Sequence, residues 1–259
     1  MTNQTWKNYR AFAHHRGELV FKILSRFISL PGKTVLDIGC GNGATATVLA
    51  RQGAQVTALE ILPEPLPNIS QQRIKFINGG FDGFQFNQNQ FDVIILQDVL
   101  EHLPDPARSI KKMSALLSRG GHLYFSTPNR LSFFNLISDP HWGVPLVSFF
   151  PRSWVKILIF STLRIDRRQR NDWPALLSMK RLLMLLNEAG FKLQLMNKFA
   201  ATQLFDCPQS IVCKPVHLNI LKWLAKHNFQ THIQKIVNDR IGFFNNYINP
   251  TWYGVCIKT

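Results

Sequence analysis

The sequence is short of acidic residues and of the features that mark exported chains. It has 15 Asp and Glu against 30 Lys and Arg, a formal net charge of +15. Its four cysteines show neither a CxxC pair nor metal-ligand spacing, so we expect free thiols in a reducing compartment. No apolar segment follows the charges of the first twenty residues, so no secretory signal is expected. These absences favour a cytoplasmic protein.

Long uninterrupted apolar runs are also missing. The most apolar long stretch, residues 144–163, is broken by two prolines, an arginine and a lysine, so a transmembrane helix is not expected. Residues 149–173 interleave apolar and cationic side chains. This pattern fits peripheral contact with an anionic membrane surface, or a lipid-linked or phosphorylated acceptor.

The positive charge is unevenly distributed along the chain. Residues 131–259 hold 16 of the 30 Lys and Arg but only 6 of the 15 acidic residues. Such a surface favours an anionic partner, which could be a phosphorylated substrate, an acidic lipid or a nucleic acid. The alternative is that the charge only keeps the protein in solution.

The apolar pattern predicts an α/β fold. Its hydrophobic content of 46% is that of a globular protein, and residues 6–29 are predicted to form one or two helices. Strands are predicted at KTVLDIG, AQVTALE, RIKFIN, FDVIILQ, HLYFSTPN, FKLQLMNKF and TWYGVCIK. Helices are predicted at ATATVLARQG, at DPARSIKKMSALLSRGG with the Gly120–Gly121 pair as its stop, and at SMKRLLMLLNEAGF. Alternating strands and helices indicate a parallel sheet covered on both faces.

The alternation of strands and helices is interrupted by two segments that are too long to be ordinary connecting loops. We therefore predict a single domain over residues 1–259, with a helical cap at 1–30 and a binding core at 31–129. Two insertions, 130–174 and 201–248, are expected to cover an acceptor site.

The segment VLDIGCGNG places three glycines directly after a buried strand. Gly39, Gly41 and Gly43 would let a ligand approach the free N–H groups at a helix start. A Walker loop would end in GK[ST] and a dinucleotide loop in GxGxxG, and neither pattern is present. Asp37 suits an ammonium group, and Glu60 at the next strand end can accept both hydroxyls of a ribose. The two acids together fit an amino acid joined to a nucleoside.

These motifs resemble those of the class I S-adenosylmethionine-dependent methyltransferases. The likeness covers most of residues 32–129, through VLDIGCGNG, VTALE, FDVIILQDVLEHLPDP and LLSRGGHLYFSTPN in the expected order. It implies a Rossmann-like, doubly wound seven-stranded sheet of order 3-2-1-4-5-7-6, with the last strand antiparallel and with helical insertions. S-adenosylmethionine is then the expected cofactor.

The resemblance also assigns roles to residues of the predicted pocket. Asp37 would contact the methionine ammonium and Glu60 the ribose, with Ile61 against the adenine. The relatives' acid after the third strand falls near Gly80 here, and Asp82 is the nearest candidate for the adenine amino group. The remaining cofactor contacts implied are the loop residues Gly39, Cys40, Gly41 and Gly43 and, on the sulfonium side, Gln97 and Asp98.

Two histidines are candidate catalytic bases. Methyl transfer to an oxygen is a displacement in which the acceptor must also lose a proton. His102 directly follows the fourth strand, and His141 lies in DPHWGVP in the first insertion. The alternatives are that His102 shapes its loop and that His141 packs in an aromatic corner.

A metal site at the same place is a further alternative. Asp98, Glu101 and His102 are spaced i, i+3, i+4, so on a helical turn they could converge on one ion. The ubiquinone-pathway O-methyltransferases look similar here and use such a trio, whereas other relatives with this motif hold no metal.

The acceptor is expected to be methylated on oxygen. QDVL lacks the Asn/Asp-Pro-Pro-Tyr/Phe of enzymes that methylate exocyclic amines, and the DPHWG insertion looks like that of small-molecule and glycan or lipid-pathway O-methyltransferases. The expected function is therefore O-methylation of a small or lipid-linked acceptor. An RNA methyltransferase, for which only the charge speaks, and an inactive scaffold that binds the cofactor are the alternatives.

Overall fold

The protein is an α/β sandwich built on one seven-stranded sheet. The computed structural model describes residues 3–61, 73–86, 90–157, 173–213 and 215–259. The strands are β1 (Thr34–Ile38), β2 (Gln55–Glu60), β3 (Ile74–Asn78), β4 (Phe91–Gln97), β5 (Leu117–Pro128), β6 (Phe191–Leu195) and β7 (Thr251–Lys258). The α-helices are α1 (Asn3–Leu24), α2 (Ala44–Arg51), α3 (Pro106–Leu116), α4 (Phe133–Ile137), α5 (Arg152–Lys156), α6 (Met179–Glu188), α7 (Asn197–Asp206), α8 (Pro215–Lys226) and α9 (Phe229–Ile236).

The strand order is β3-β2-β1-β4-β5-β7-β6, as the family resemblance implied. The first five strands are parallel, and β7 runs antiparallel to both β5 and β6. The carboxyl ends of β1, β2, β4 and β5 therefore meet at one edge of the sheet, where ligands of open α/β sheets bind.

Two apolar layers cover the sheet because successive strand residues point to opposite faces. On β1, Leu36 faces a core shared with α3 and α6, while Val35 faces a core shared with α1 and α2. Both faces of the central strands are buried, which explains why they are apolar without alternation.

Helix starts follow the capping rules where a polar side chain is available. Asp105 accepts the N–H of Arg108 at 3.1 Å before α3, whose first residue is Pro106. Ser178 accepts the N–H of Arg181 at 3.3 Å before α6. The helix α2 differs, because it begins after Gly43 without a side-chain cap.

The Gly120–Gly121 pair does not end the third helix, and that prediction was wrong. Helix α3 stops at Leu116, and β5 begins at the next residue. The pairing with β4 jumps from Leu117 to His122, so the residues between them form an irregularity within the strand. Gly120 with its φ of 72° permits the bend.

The strand predicted at FKLQLMNKF is shorter than expected. It ends at Leu195, and α7 begins at Asn197. The Asn197 side chain accepts the backbone N–H of Tyr253 at 2.9 Å. Beyond the end of β6, this side-chain hydrogen bond replaces a backbone hydrogen bond to β7. Tertiary contacts decide this boundary.

The two predicted insertions contain short helices. Helices α4 and α5 lie in the described part of the first, and α8 and α9 lie in the second. Residues 158–172 of the apolar and cationic stretch at 149–173 lie outside the described residues. The division into cap, core and acceptor cover remains a prediction. Within the described residues, no helix combines the length and apolar character needed to cross a bilayer.

Candidate active site

The glycine loop after β1 is shaped by left-handed backbone. Gly39, Gly41 and Gly43 have φ angles of 69°, 53° and 72°, which other residues adopt only with strain. The N–H of Gly39 donates to the Leu59 carbonyl at 2.8 Å, which holds the loop against the end of β2. A Cβ atom on Gly39 would lie 2.5 Å from a Val99 methyl group. The positive φ angle and the lack of room for a Cβ atom thus both require glycine at position 39.

Two carboxylates lie at the carboxyl ends of the neighbouring strands: Asp37 is the last residue but one of β1, and Glu60 is the last of β2. Asp37 is 1% exposed, and its Oδ2 has no hydrogen-bond partner within the described part of the chain. Burial and the nearby Glu60 charge raise the pKa of Asp37 to about 7. Glu60 accepts the N–H groups of Gly41 at 2.8 Å and Ile61 at 2.9 Å. Burial, with the charges of Asp37 and Glu60, also raises the pKa of the Cys40 thiol.

Ile61 and Asp82 lie on the side of the pocket predicted to receive adenine. Ile61 is 67% exposed, and a Cβ on Gly80 would lie 3.7 Å from its Cδ1. The Asp82 Oδ1 accepts the hydroxyl of Ser109 on α3 at 2.6 Å. An adenine contact through Asp82 stays a prediction.

Gln97 and Asp98 end β4 and are held by other elements. The Gln97 Oε1 accepts the Thr45 hydroxyl of α2 at 2.8 Å. Asp98 pairs with the guanidinium of Arg16 and accepts the Ser126 hydroxyl at 2.7 Å. Burial alone would raise the pKa of Asp98, but the charge and hydrogen bond of Arg16 outweigh it, so this pKa lies below its ordinary value.

Sequence reasoning missed Arg16, which reaches Asp98 from a helix 82 residues earlier. Its Nη2 also donates to the Ser126 hydroxyl at 3.1 Å. A signal existed, because Arg16 precedes the buried Val20 and Ile23 by four and seven residues and so shares their face of α1. A charge on an apolar helix face needs a buried partner.

Glu101, His102 and His141 come together beyond the end of β4. One potential ligand atom from each lies within 4.8 Å of the others. The rings of His102 and His141 meet edge to face, with centroids 5.2 Å apart. Glu101 is buried, its Oε2 accepts the Thr127 hydroxyl at 3.0 Å, and burial together with the Asp98 charge raises its pKa.

This cluster differs from the trio read from the sequence. The helical spacing of Asp98, Glu101 and His102 does not apply, because the 3-10 turn begins only at Leu100 and Asp98 has a left-handed φ of 55°. Asp98 instead binds Arg16, and a residue of the first insertion takes its place. Two imidazoles and one carboxylate form a donor set that suits a divalent transition ion.

His141 is positioned by a turn that Asp139 shapes. The Asp139 Oδ1 accepts the N–H groups of His141 at 2.9 Å and Trp142 at 3.0 Å. The Trp142 ring stacks on Trp173, with centroids 5.4 Å apart. His141 thus lies beside a pair of stacked tryptophans, and in this position its ring contacts His102.

Comparisons with known proteins agree with this architecture. A family model for a methyltransferase domain matches residues 12–195. The ubiquinone biosynthesis O-methyltransferase of Serratia proteamaculans is 40% identical over 115 residues, which cover 42% of this chain and 48% of that protein. The chain thus spans about half the length of the curated relatives it matches.

Two solved structures share the fold. A Mesorhizobium loti S-adenosylmethionine-dependent methyltransferase superposes with a TM-score of 0.57 at 17% identity, over 92% of this chain and 96% of that one. Haemonchus contortus phosphoethanolamine N-methyltransferase 2, in complex with S-adenosyl-L-methionine, gives 0.53 at 16% identity, over 92% of this chain and 51% of that one. At these identities the likeness concerns the fold alone.

Proposed function

The chain belongs to the class I S-adenosylmethionine-dependent methyltransferases, and we propose that it methylates an oxygen atom of a small-molecule or lipid-linked acceptor. The observation that carries the oxygen acceptor is the His102–His141 pair beyond the end of β4. The curated relatives, named as ubiquinone biosynthesis O-methyltransferases, point the same way. The family match and these relatives do not favour the alternatives, an RNA methyltransferase or an inactive scaffold.

The residues at the ends of β1 and β2 fit the cofactor. The unpartnered Oδ2 of Asp37 would accept the methionine ammonium, whose charge would favour the ionised carboxylate. Glu60 would exchange its bond with the Gly41 N–H for the ribose hydroxyls. When bound, the cofactor supplies a methyl group activated by the positive sulfonium.

The chain's own groups would position the acceptor and accept its proton. Displacement at the methyl carbon needs in-line geometry and exclusion of water more than it needs covalent chemistry. An acceptor hydroxyl beside His102 would pass its proton to an imidazole nitrogen as the oxygen attacks. His141, in contact with His102, would orient that ring or share the proton.

A lipid-linked acceptor is supported by the apolar surface near α4. This helix contacts both the 3-10 turn Val147–Phe149 and the π-helical turn Phe244–Ile248, which precedes β7. Large apolar side chains are exposed in these three segments or directly beside them, namely Phe133, Phe134, Ile137, Leu146, Phe149, Phe150, Phe243 and Tyr247. Exposed apolar surface of this extent marks an interaction site. Peripheral membrane contact in this region is part of the proposal.

The experiment is an acceptor screen with S-adenosylmethionine labelled on its methyl group. Phenolic acceptors with and without a prenyl tail, together with tRNA, would be compared. His102→Ala should lower kcat on the best acceptor by about 10²- to 10⁴-fold, with the affinity for S-adenosylhomocysteine unchanged by calorimetry. The control is His14→Ala, an exposed histidine near Glu18 on α1. Full turnover in His102→Ala would remove the proposed base.

The same screen distinguishes a metal site from a general base. Glu101, His102 and His141 could hold a divalent cation. Activity lost with EDTA and restored by one added divalent ion would assign the three as metal ligands. Activity indifferent to EDTA would leave the histidines as the proton acceptors.

A further inference from the structure

Helix α8 has an apolar stripe on each of two sides. Leu218 and Leu224 are half-buried, and Leu221 between them is the buried residue of α8, so these three side chains face the protein. Val216, Ile220 and Trp223 follow the spacing i, i+4, i+7 and are exposed, with Trp223 at 55%. The spacing places these three side chains on one face, turned away from the buried leucine. A helix that only covers a core needs a single stripe.

Helix α9 continues this exposed apolar face. Asn228, with a left-handed φ of 61°, joins the two helices. The rings of Trp223 and Phe229 stack across the joint, with centroids 5.8 Å apart and planes 17° apart. Phe229 and Ile236 lie seven residues apart on one side of α9, and both are exposed. The outer face of the pair consists of Val216, Ile220, Trp223, Phe229 and Ile236.

The two helices that form the outer face carry lysines and no acidic residue. Residues 207–238 contain no aspartate or glutamate. Lys222, Lys226 and Lys235 are exposed on the two helices. A second copy of the chain would bring these lysines against one another, and like charges oppose that contact. An anionic surface with an apolar interior satisfies both the cations and the apolar stripe.

We propose that the outer face of α8 and α9 docks on an anionic lipid bilayer. Helices with aromatic and aliphatic residues on one face and lysines beside it lie in the plane of a membrane interface. Each lysine near an anionic surface contributes further attraction. This inference concerns a surface other than the one near α4, and it does not depend on which acceptor is methylated.

The position of α9 is compatible with a docked enzyme. Residues 237–243 connect α9 to the π-helical turn Phe244–Ile248, and β7 starts shortly afterwards. The first residue of β7, Thr251, pairs with Pro128 at the end of β5. The connection therefore leads to the edge of the sheet where the candidate active site lies.

The test measures binding of the full chain to vesicles by cosedimentation. Vesicles of phosphatidylcholine alone are compared with vesicles that also contain phosphatidylglycerol, at low and high salt. The wild type should bind the anionic vesicles in a salt-sensitive way and the neutral vesicles weakly. Absence of salt-sensitive binding to the anionic vesicles would overturn the proposal.

Matched variants assign the binding to this surface. Replacing Lys222, Lys226 and Lys235 together by glutamine should weaken binding by roughly 100-fold, given about 1 kcal/mol for each lysine. The control carries Lys75→Gln, Lys180→Gln and Lys192→Gln, three exposed lysines elsewhere with the same loss of charge. Equal weakening in the two triple variants would show that only net charge matters and would refute the docking surface.

An apolar pair of variants tests insertion separately from charge. Trp223→Ser with Phe229→Ser should weaken binding at least tenfold, whereas Met184→Ser, at a 39% exposed site on α6, should not. Unchanged affinity for S-adenosylhomocysteine would show that each variant is folded. A wild-type dimer that Trp223→Ser converts to a monomer would identify the face as an interface between copies and overturn the proposal.

Discussion

Cofactor affinity should depend on the protonation of Asp37. Its pKa of about 7 means that the carboxyl is largely protonated in the free protein below neutral pH. A ligand ammonium requires the carboxylate, so binding below pH 7 must release a proton. The association constant for S-adenosylhomocysteine should then rise about 25-fold between pH 5.5 and pH 7.5, and most steeply below pH 7. Isothermal titration calorimetry at several pH values measures this slope.

Two variants make the test specific. Asp37→Asn should bind at least about tenfold more weakly at pH 7.5 and lose the slope, because an amide offers no charge to the ammonium. Asp92→Asn is the control, since Asp92 bonds the Thr34 N–H at the opposite end of β1. A flat affinity between pH 5.5 and pH 7.5 in the wild type would refute the assignment of Asp37 as the ammonium partner.

The same carboxyl should lower the stability of the free protein at high pH. The folded pKa of Asp37 lies above the unfolded value of 3.8, so the unfolded chain releases this proton first. Folding stability therefore falls as the pH rises from about 4 through 7, and the full cost applies above 7. The difference between the two pKa values corresponds to about 4 kcal/mol as an upper bound. Asp37→Asn should raise the free energy of unfolding at pH 8 and flatten this dependence.

Two further substitutions probe the walls of the same pocket. Gly39→Ala should lower cofactor affinity at least tenfold and destabilise the fold by about 1–3 kcal/mol, because the added methyl group would clash with Val99 and the φ of 69° would be strained. A cofactor affinity by calorimetry and a urea midpoint equal to those of the wild type would contradict this prediction. Arg16→Met should cost about 1–2 kcal/mol in chemical denaturation, since Asp98 keeps 36% of its side chain exposed and water can partly replace the guanidinium. The double variant Arg16→Met with Asp98→Asn should recover part of that lost stability. If the stability losses of the two single variants simply add, the ion pair between Arg16 and Asp98 does not stabilise the fold.

The sheet and the cofactor loop could be predicted because their signals are local. The strand at Thr34–Ile38 has the sequence TVLDI and is buried from Val35 onward, and three glycines within five positions follow it. Parallel strands with helical crossovers leave few possible topologies, so order 3-2-1-4-5-7-6 followed from the family resemblance and was confirmed. Asp37 and Glu60 were predicted as strand ends, and both lie there.

Long-range pairings could not be predicted in the same way. The spacing of Asp98 and His102 fits a regular helical turn, but the chain leaves β4 through a left-handed residue that no local pattern marks. Arg16 and His141 reach this region from α1 and from the first insertion, and their partners follow only from the packed fold. The Gly120–Gly121 pair has the same composition in a helix stop and in a strand bulge.

Three of the four acids assigned to the pocket, Glu60, Asp98 and Asp37, differ in what a cofactor can gain from them. Glu60 already accepts two backbone N–H groups, so a ribose would exchange one hydrogen bond for another at little net gain. Asp98 already pairs with the guanidinium of Arg16 and accepts the hydroxyl of Ser126. Asp37 is buried and accepts the backbone N–H of Ala46. Its Oδ2 accepts no hydrogen bond from the described residues. A ligand cation at Asp37 replaces protonation with an ion pair, so the electrostatic part of cofactor affinity should depend mainly on this residue.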